Sequence, residues 1–401
     1  MTDNRAYLDY NASAPLRPAS REAMSAAMEV CGNASSVHFE GRTVKAIVEG
    51  ARRQVAALVN ANPEGVIFTS GATEAANLGL APQISSGGVR RDASKLYVLE
   101  TEHPCILAGG RFKPDDIVPV PVLSNGLVDM EAFDGLLEAH EEEAGAPFLA
   151  CQLANSETGI IQPVAELAQK VRFKGGYVLC DAVQAVGRIP VDAKALNVDF
   201  LILSAHKIGG PSGVGALIKV HDVLDITPAI AGGGQEKNRR AGTENVVGIA
   251  GFGAAAEEAL SEAGNIDRIV ALRDSLSDGL APICAANGLS ADRLIVFGQD
   301  VSRIGNTIMF AVDGLKAETA LIAFDLDGVS VSSGSACSSG KVGKSHVLEA
   351  MNVQAGHTRG AIRVSLGWNS TEADIEKFCH AFDRITKRLA DMLKEEMSGA
   401  A

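Results

Sequence analysis

The stretch EGVIFTSGATEAANLGL, residues 64–80, reads as a short apolar strand at Val66–Phe68, a turn of small residues and then a helix. The same design of apolar run followed by polar turn recurs in KLYVLETEH (95–103), PFLACQLANSETG (147–159), GYVLCDAVQAVG (176–187) and VDFLILSAHKIGG (198–210). None of these runs alternates apolar and polar residues with period two, so each strand is expected to be covered on both faces, as in a parallel sheet flanked by helices. The fold class is therefore α/β. In such sheets ligands bind beyond the carboxyl ends of the strands, which makes the residues just after each run the ones to read for chemistry.

Around this repeated design the chain divides. At 401 residues it exceeds one ordinary core. RTVKAIVEGARRQVAALV (42–59) spaces Val44, Ile47, Val48, Ala51, Val55 and Leu58 at intervals of three and four, which predicts an amphipathic helix. IAGGGQEKNRRAGTEN (230–245) is a glycine-rich, basic loop with an anion-facing character or a merely solvated one. After about residue 262 the pattern becomes a long helix, strands at NTIMFAV (306–312) and AIRVSLG (361–367), and a terminal helix capped by Ser370 or Thr371. These changes suggest a large domain over 15–262 and a smaller α+β domain made of 1–14 and 263–401.

Composition bounds the function. Lys and Arg (36) against Asp and Glu (49) leave a net charge of −13, which repels nucleic-acid phosphates and anionic lipid heads, so neither nucleic acid nor membrane is expected as a partner. No apolar run reaches the length of a membrane span, and the polar start, with Asp3, lacks the features of a secretory signal. Cytoplasmic location is the default expectation. The seven cysteines are scattered without a CxxC pair, so they form neither a disulfide framework nor a four-cysteine zinc site.

The strand ends carry the chemistry. LILSAHKIGGPSGVGAL (201–217) delivers Ser204, His206 and Lys207 beyond a buried strand, and a lysine there is costly to desolvate unless it has a counter-charge or chemistry. Asp181 follows its own strand, with Gln184 three residues on. Alone, Lys207 reads as solvated and Asp181 as a helix cap. Together, a lysine able to form an imine and an acid able to hold a ring nitrogen protonated match the needs of pyridoxal phosphate. A phosphate site is offered by TSGATEAAN (69–77), where a glycine turn opens a helix at Ala72 and Thr73. His103 can stack on a planar cofactor and move protons, or be a structural histidine. Arg363, flanked by apolar residues on a strand, suggests bidentate capture of a substrate carboxylate, with an edge-strand salt bridge as the alternative.

SSGSACSSGKVGK (332–344) raises a separate question, because Cys337 sits where no core can form. Glycine and serine impose little constraint, so the segment is expected to be a mobile loop whose thiol can visit two places. Lys341 and Lys344 favour its thiolate.

YLDYNASAP, TSGATEAAN, TEHP, ANSETG, DAVQAVG, SAHKIGGPSGVGAL, GGGQEKNRRAGTEN, SSGSACSSG and AIRVSLG follow one another in the order and spacing of the NifS/IscS-like cysteine desulfurases, and the resemblance spans about residues 7–385. It implies a homodimeric, pyridoxal-phosphate enzyme of fold type I, aspartate-aminotransferase-like, whose large domain holds a mainly parallel seven-stranded sheet. Such an enzyme takes sulfur from L-cysteine, leaves L-alanine and passes a persulfide to a sulfur acceptor or iron–sulfur scaffold protein. By the same resemblance Lys207 is the cofactor-bonding lysine, and Ala72, Thr73, Ser204 and His206 are phosphate-side contacts. Asp181 and Gln184 meet the ring nitrogen and ring oxygen, and His103 is the stacking histidine that shares proton transfers with Lys207. Asn155 and Ser156 lie at the ring and substrate, Arg363 takes the substrate carboxylate, and Thr243 reaches the neighbouring subunit's phosphate. Cys337 is the nucleophile; no resident metal is implied, Cys337 being a candidate for transient iron–sulfur contact.

Three departures stand out. Where many relatives read Asn-Asn-Glu, this chain has Asn155-Ser156-Glu157, so the shorter Ser156 is expected to reach the ring oxygen through water. Ala205 stands for a glycine, which is tolerable where φ is not positive. Lys341-Val342-Gly343-Lys344 stands where relatives often read Ser-Leu-Glu-Pro, and the loss of the Glu and gain of two lysines favour an acidic acceptor surface. The competing readings are a selenocysteine lyase or another lyase or aminotransferase of the same fold, and a sulfur carrier whose cofactor site is inactive.

Overall fold

The computed structural model describes residues 5–262, 266–334 and 344–399 of the chain. At its centre lies the seven-stranded sheet that the resemblance implies. Its strands are β1 (Val66–Thr69), β2 (Ala93–Leu99), β3 (Ile117–Val120), β4 (Ala146–Gln152), β5 (Tyr177–Asp181), β6 (Phe200–Ser204) and β7 (Gly215–Lys219). They are ordered β1-β7-β6-β5-β4-β2-β3, and only β7 runs against its neighbours.

The unbroken apolar runs are explained by burial on both faces. Leu149, Cys151, Val178, Cys180, Leu201 and Leu203 point into one cluster, while Phe148, Ala150, Tyr177, Leu179, Phe200 and Ile202 point into the other. The first cluster is closed by the helices Phe39–Leu58 and Val246–Ser261, through residues such as Ala51, Val55, Phe252 and Ala256; the second is closed by the helix Ala72–Gly79. Each buried Phe or Leu contributes roughly 1.5–3 kcal/mol of transfer free energy, so a strand in this layer needs no polar face to be stable. The amphipathic helix expected over 42–59 begins at Phe39, because His38 caps it by accepting the N–H of Gly41.

A four-stranded antiparallel sheet gathers the C-terminal part in the order Leu294–Val296, Thr307–Val312, Ile362–Ser365 and Ser332–Ser333. The helices Ile266–Ala286 and Glu372–Gly399 cover it, around the ring cluster Phe310, Phe324, Phe378 and Phe382. Thr371 caps the terminal helix, its hydroxyl accepting from the N–H of Asp374. The start of the chain joins this part: Ala6–Tyr7 pairs in parallel with Val329–Ser330, and Asp9 bridges to Ser365. Asn11 then ties the two sheets together, because its side chain donates to Thr307 Oγ1 and to the carbonyl of Ser156 while its own carbonyl faces Lys207.

The basic loop at 230–245 is anchored from within. Glu236, buried, receives both guanidinium nitrogens of Arg52 at 2.7 and 2.9 Å and the N–H of Phe68 at 3.0 Å. Arg240 pairs with Glu74 at 2.8 Å and Arg239 donates to the carbonyl of Glu64. Its anion-facing character is therefore spent on carboxylates and a carbonyl of this same chain.

Candidate active site

The carboxyl ends of β1, β2, β4, β5 and β6 and the start of β7 open onto one cavity of about 310 Å³. Its walls include Ala72, Thr73, His103, Ser156, Asp181, Gln184, Ser204, His206 and Lys207, together with Asn11 and Cys105. Side chains separated by more than a hundred residues meet here because parallel strands place all their carboxyl ends at one edge.

One end of the cavity is the start of the Ala72–Gly79 helix, which has no side-chain cap; its cap residue is Gly71. A Cβ at Gly71 would meet nothing within 4 Å, whereas one at Gly215 would lie 2.6 Å from the backbone of Gly71. A bare backbone at both positions leaves an open helix N-terminus with Thr73, Ser204 and His206 around it, the donor set a phosphate requires. At the other end stands Asp181, whose Oδ1 accepts the N–H of Val183 at 2.9 Å. Burial pushes its carboxyl up to about 6, with Lys207 acting in the opposite sense. A cation beside Asp181, such as a protonated ring nitrogen, would restore the carboxylate. The cavity's volume, its phosphate-type end and its acidic end fit pyridoxal phosphate.

Lys207 Nζ donates to the carbonyls of Asn11 (2.5 Å) and Ala12 (2.9 Å). Gln184 donates through Nε2 to the same Asn11 carbonyl and accepts from the buried Arg188. His103 and His206 are both driven down to about 4, first by burial and then by the charge of Lys207. Both imidazoles are neutral at physiological pH. Ala205, buried in the turn between Ser204 and His206, is not among the residues with positive φ, so its methyl costs the backbone nothing there.

Three of the expected residues, Asn155, Arg363 and Thr243, lie outside the cavity wall. Asn155 is buried outside the cavity wall: its amide donates to Thr101 and Gln152, and its oxygen accepts from Glu157 N, Thr158 N and Thr158 Oγ1. It builds the turn that presents Ser156. Arg363 is fully buried behind the wall, pairing with Asp9 at 2.7 Å and donating to the Ser156 carbonyl at 3.1 Å. Its strand is flanked on both sides, so the partner is not an edge-strand contact. Its Nε has no acceptor among the described residues. Thr243 is exposed on the 230–245 loop. Cys337 and Lys341 lie outside the described residues, whereas Lys344 pairs with Glu349 at 3.6 Å.

The structure adds residues that strand-end reading passed over. Glu102, completely buried beside Asp181, is pushed well above the ordinary carboxyl range by burial and by that neighbour. Glu157, also buried, is raised to about 7 by burial and accepts the hydroxyl of Ser345 at 2.5 Å. A Cβ at Gly334 would lie 2.4 Å from the same carboxylate, so Glu157 touches the residues on both flanks of 335–343.

Among the described residues no helix is long and apolar enough to cross a membrane. The family model for aminotransferase class-V matches residues 6–378. The chain is 38% identical over 391 residues to cysteine desulfurase IscS of Dictyoglomus turgidum, covering 96% of this chain and 95% of that protein. It is 36% identical to the IscS-like cysteine desulfurase of Mycobacterium tuberculosis, covering 92% and 93%. Among solved structures, the NifS-like protein from Rickettsia africae superposes with a TM-score of 0.83 at 32% identity, over 95% of this chain and 99% of that one. Fold, cavity and these likenesses agree, and the chain belongs to the pyridoxal-phosphate-dependent class-V aminotransferase family, in its NifS/IscS-like cysteine desulfurase branch.

Proposed function

We propose that the protein is a cysteine desulfurase that removes sulfur from L-cysteine, releases L-alanine and holds the sulfur as a persulfide on Cys337. The observation that carries this reading is the convergence of Lys207, Asp181, His103 and the open start of the Ala72–Gly79 helix on one cavity. Pyridoxal phosphate, when bound there, supplies an electron-withdrawing ring that weakens bonds at the substrate carbons. Lys207 would hold it covalently, Asp181 would face its ring nitrogen, and Thr73, Ser204 and His206 would meet its phosphate. Gln184, and Ser156 through water, would meet its ring oxygen, and Thr243 would reach the phosphate of the second subunit of a homodimer. Free thiols at Cys151 and Cys180, facing each other in register on β4 and β5, suit a reducing compartment such as the cytoplasm. The acceptor is an iron–sulfur scaffold or another sulfur-accepting protein, reached through the segment that carries Cys337, Lys341 and Lys344.

Arg363 is the substrate-carboxylate residue in this reading, and its buried, unpartnered Nε supports it. Arg363→Lys keeps the charge but loses the planar fork, so KM for L-cysteine should rise about tenfold or more with a smaller change in kcat. Equal KM values would assign Arg363 to the Asp9 pair alone.

The direct test is the visible absorbance of the purified protein together with L-alanine release from L-cysteine, with and without a thiol reductant. Coloured protein and reductant-stimulated alanine release are expected. Colourless protein that takes up no pyridoxal phosphate would instead support an inactive sulfur carrier.

A further inference from the structure

His103 caps the short helix Pro104–Leu107, and the backbone N–H of Cys105 donates to its Nδ1 at 3.2 Å. The Sγ of Cys105 lies 3.0 Å from the same nitrogen. A backbone N–H can only donate, so Nδ1 is an acceptor and carries no proton. The sulfur contact must then be an S–H donating to that nitrogen. A neutral imidazole whose Nδ1 is bare keeps its one proton on Nε2.

We propose that Cys105 is a positioning residue that locks His103 in the Nε2–H tautomer, so that the imidazole serves the cavity as a fixed neutral donor and leaves proton acceptance to Lys207. This rests on the reading of His103 as a residue beside the cofactor. To act as a base, His103 would have to take a proton on Nδ1, where two donors already point.

The surroundings favour the same state. Burial, Lys207 and His346 all oppose a charge on His103, and His346 is itself held by its Nε2 on the carbonyl of Glu102 at 2.8 Å. The thiol of Cys105 is raised to about 12 by burial, Asp181 and Glu102, so it keeps its proton at neutral pH and is a donor, not a nucleophile. Thr73, at the helix start, acts on the same thiol in the opposite sense.

The test is long-range proton–nitrogen correlation of the holoenzyme labelled with nitrogen-15 histidine, from about pH 5 to 8, with the His103 signals identified by their absence in His103→Gln. The wild type should show the Nε2–H pattern and no titration of His103. Cys105→Ala leaves burial, Lys207 and the backbone N–H in place but removes one of the two donors, so it should show a mixture of Nε2–H and Nδ1–H signals, and kcat/KM for alanine release should fall roughly twofold or more. Cys105→Ser, which retains a donor, should restore both. An Nδ1–H pattern in the wild type would overturn the proposal. So would a Cys105→Ala enzyme with unchanged spectrum and kcat/KM, or a Cys105→Ser enzyme that behaves like Cys105→Ala. The expected tautomer in a protein that releases no alanine would uphold this inference and refute the desulfurase reading.

Discussion

Cys337→Ser is expected to lose L-alanine and sulfide production from L-cysteine by on the order of 10³-fold or more while keeping the visible absorbance of the cofactor-loaded protein. A serine hydroxyl is nearly isosteric with the thiol but is not ionised near neutral pH and does not attack sulfur, so the substitution removes the sulfur-accepting step and leaves cofactor and substrate binding intact. The surrounding SSGSACSSGKVGK segment offers only Ala336 and Val342 as apolar neighbours, which makes a folding role for the thiol unnecessary. Alanine release measured by amino-acid analysis, beside the spectrum, decides the matter. Undiminished desulfuration would remove Cys337 from the nucleophile's place and favour a lyase of the same fold acting on another amino acid, selenocysteine included.

Lys207→Ala is expected to reduce alanine release by a similar factor. The amine sits at the end of β6, hydrogen-bonded to the Asn11 and Ala12 carbonyls, and its charge acts on Asp181, His103 and His206 at once. On the proposed reading, removing it takes away the covalent attachment point and the group to which His103 leaves proton acceptance. Borohydride reduction followed by peptide mass mapping should fix the cofactor's mass on the wild-type peptide containing Lys207 and on no peptide of the variant. A Lys207→Ala protein that turns over L-cysteine at the wild-type rate would refute the assignment.

Much of the site was legible because strand ends are local features. Ser204, His206 and Lys207 follow one apolar run, Asp181 another and His103 a third, and each reaches the same cavity. Cys105 was legible in principle: His103 followed by Pro104 is a helix start, and the N–H two residues after a cap points back at the capping side chain. Asn155 was misleading for a physical reason. It stands in the turn after β4 beside Ser156, but five hydrogen bonds consume its amide, and only the backbone path of 155–159 shows which of the two neighbours faces the cavity.

By itself, the sequence determined the α/β class, the covered sheet and the catalytic vocabulary of lysine, aspartate, histidine and an unpackable cysteine. These follow from apolar periodicity and from what stands next to it, and both are read within a dozen residues. Only the tertiary structure decided that Asn11 lends its carbonyl to Lys207 and Gln184, that Arg363 is paired with Asp9, that Arg52 and Glu74 claim the charges of the 230–245 loop, and that Glu157 sits between Gly334 and Ser345. Those contacts join residues far apart in the chain. Whether a charged group is free for a ligand or already neutralised depends on which partner packing brings within about 3 Å, and no local pattern encodes that distance.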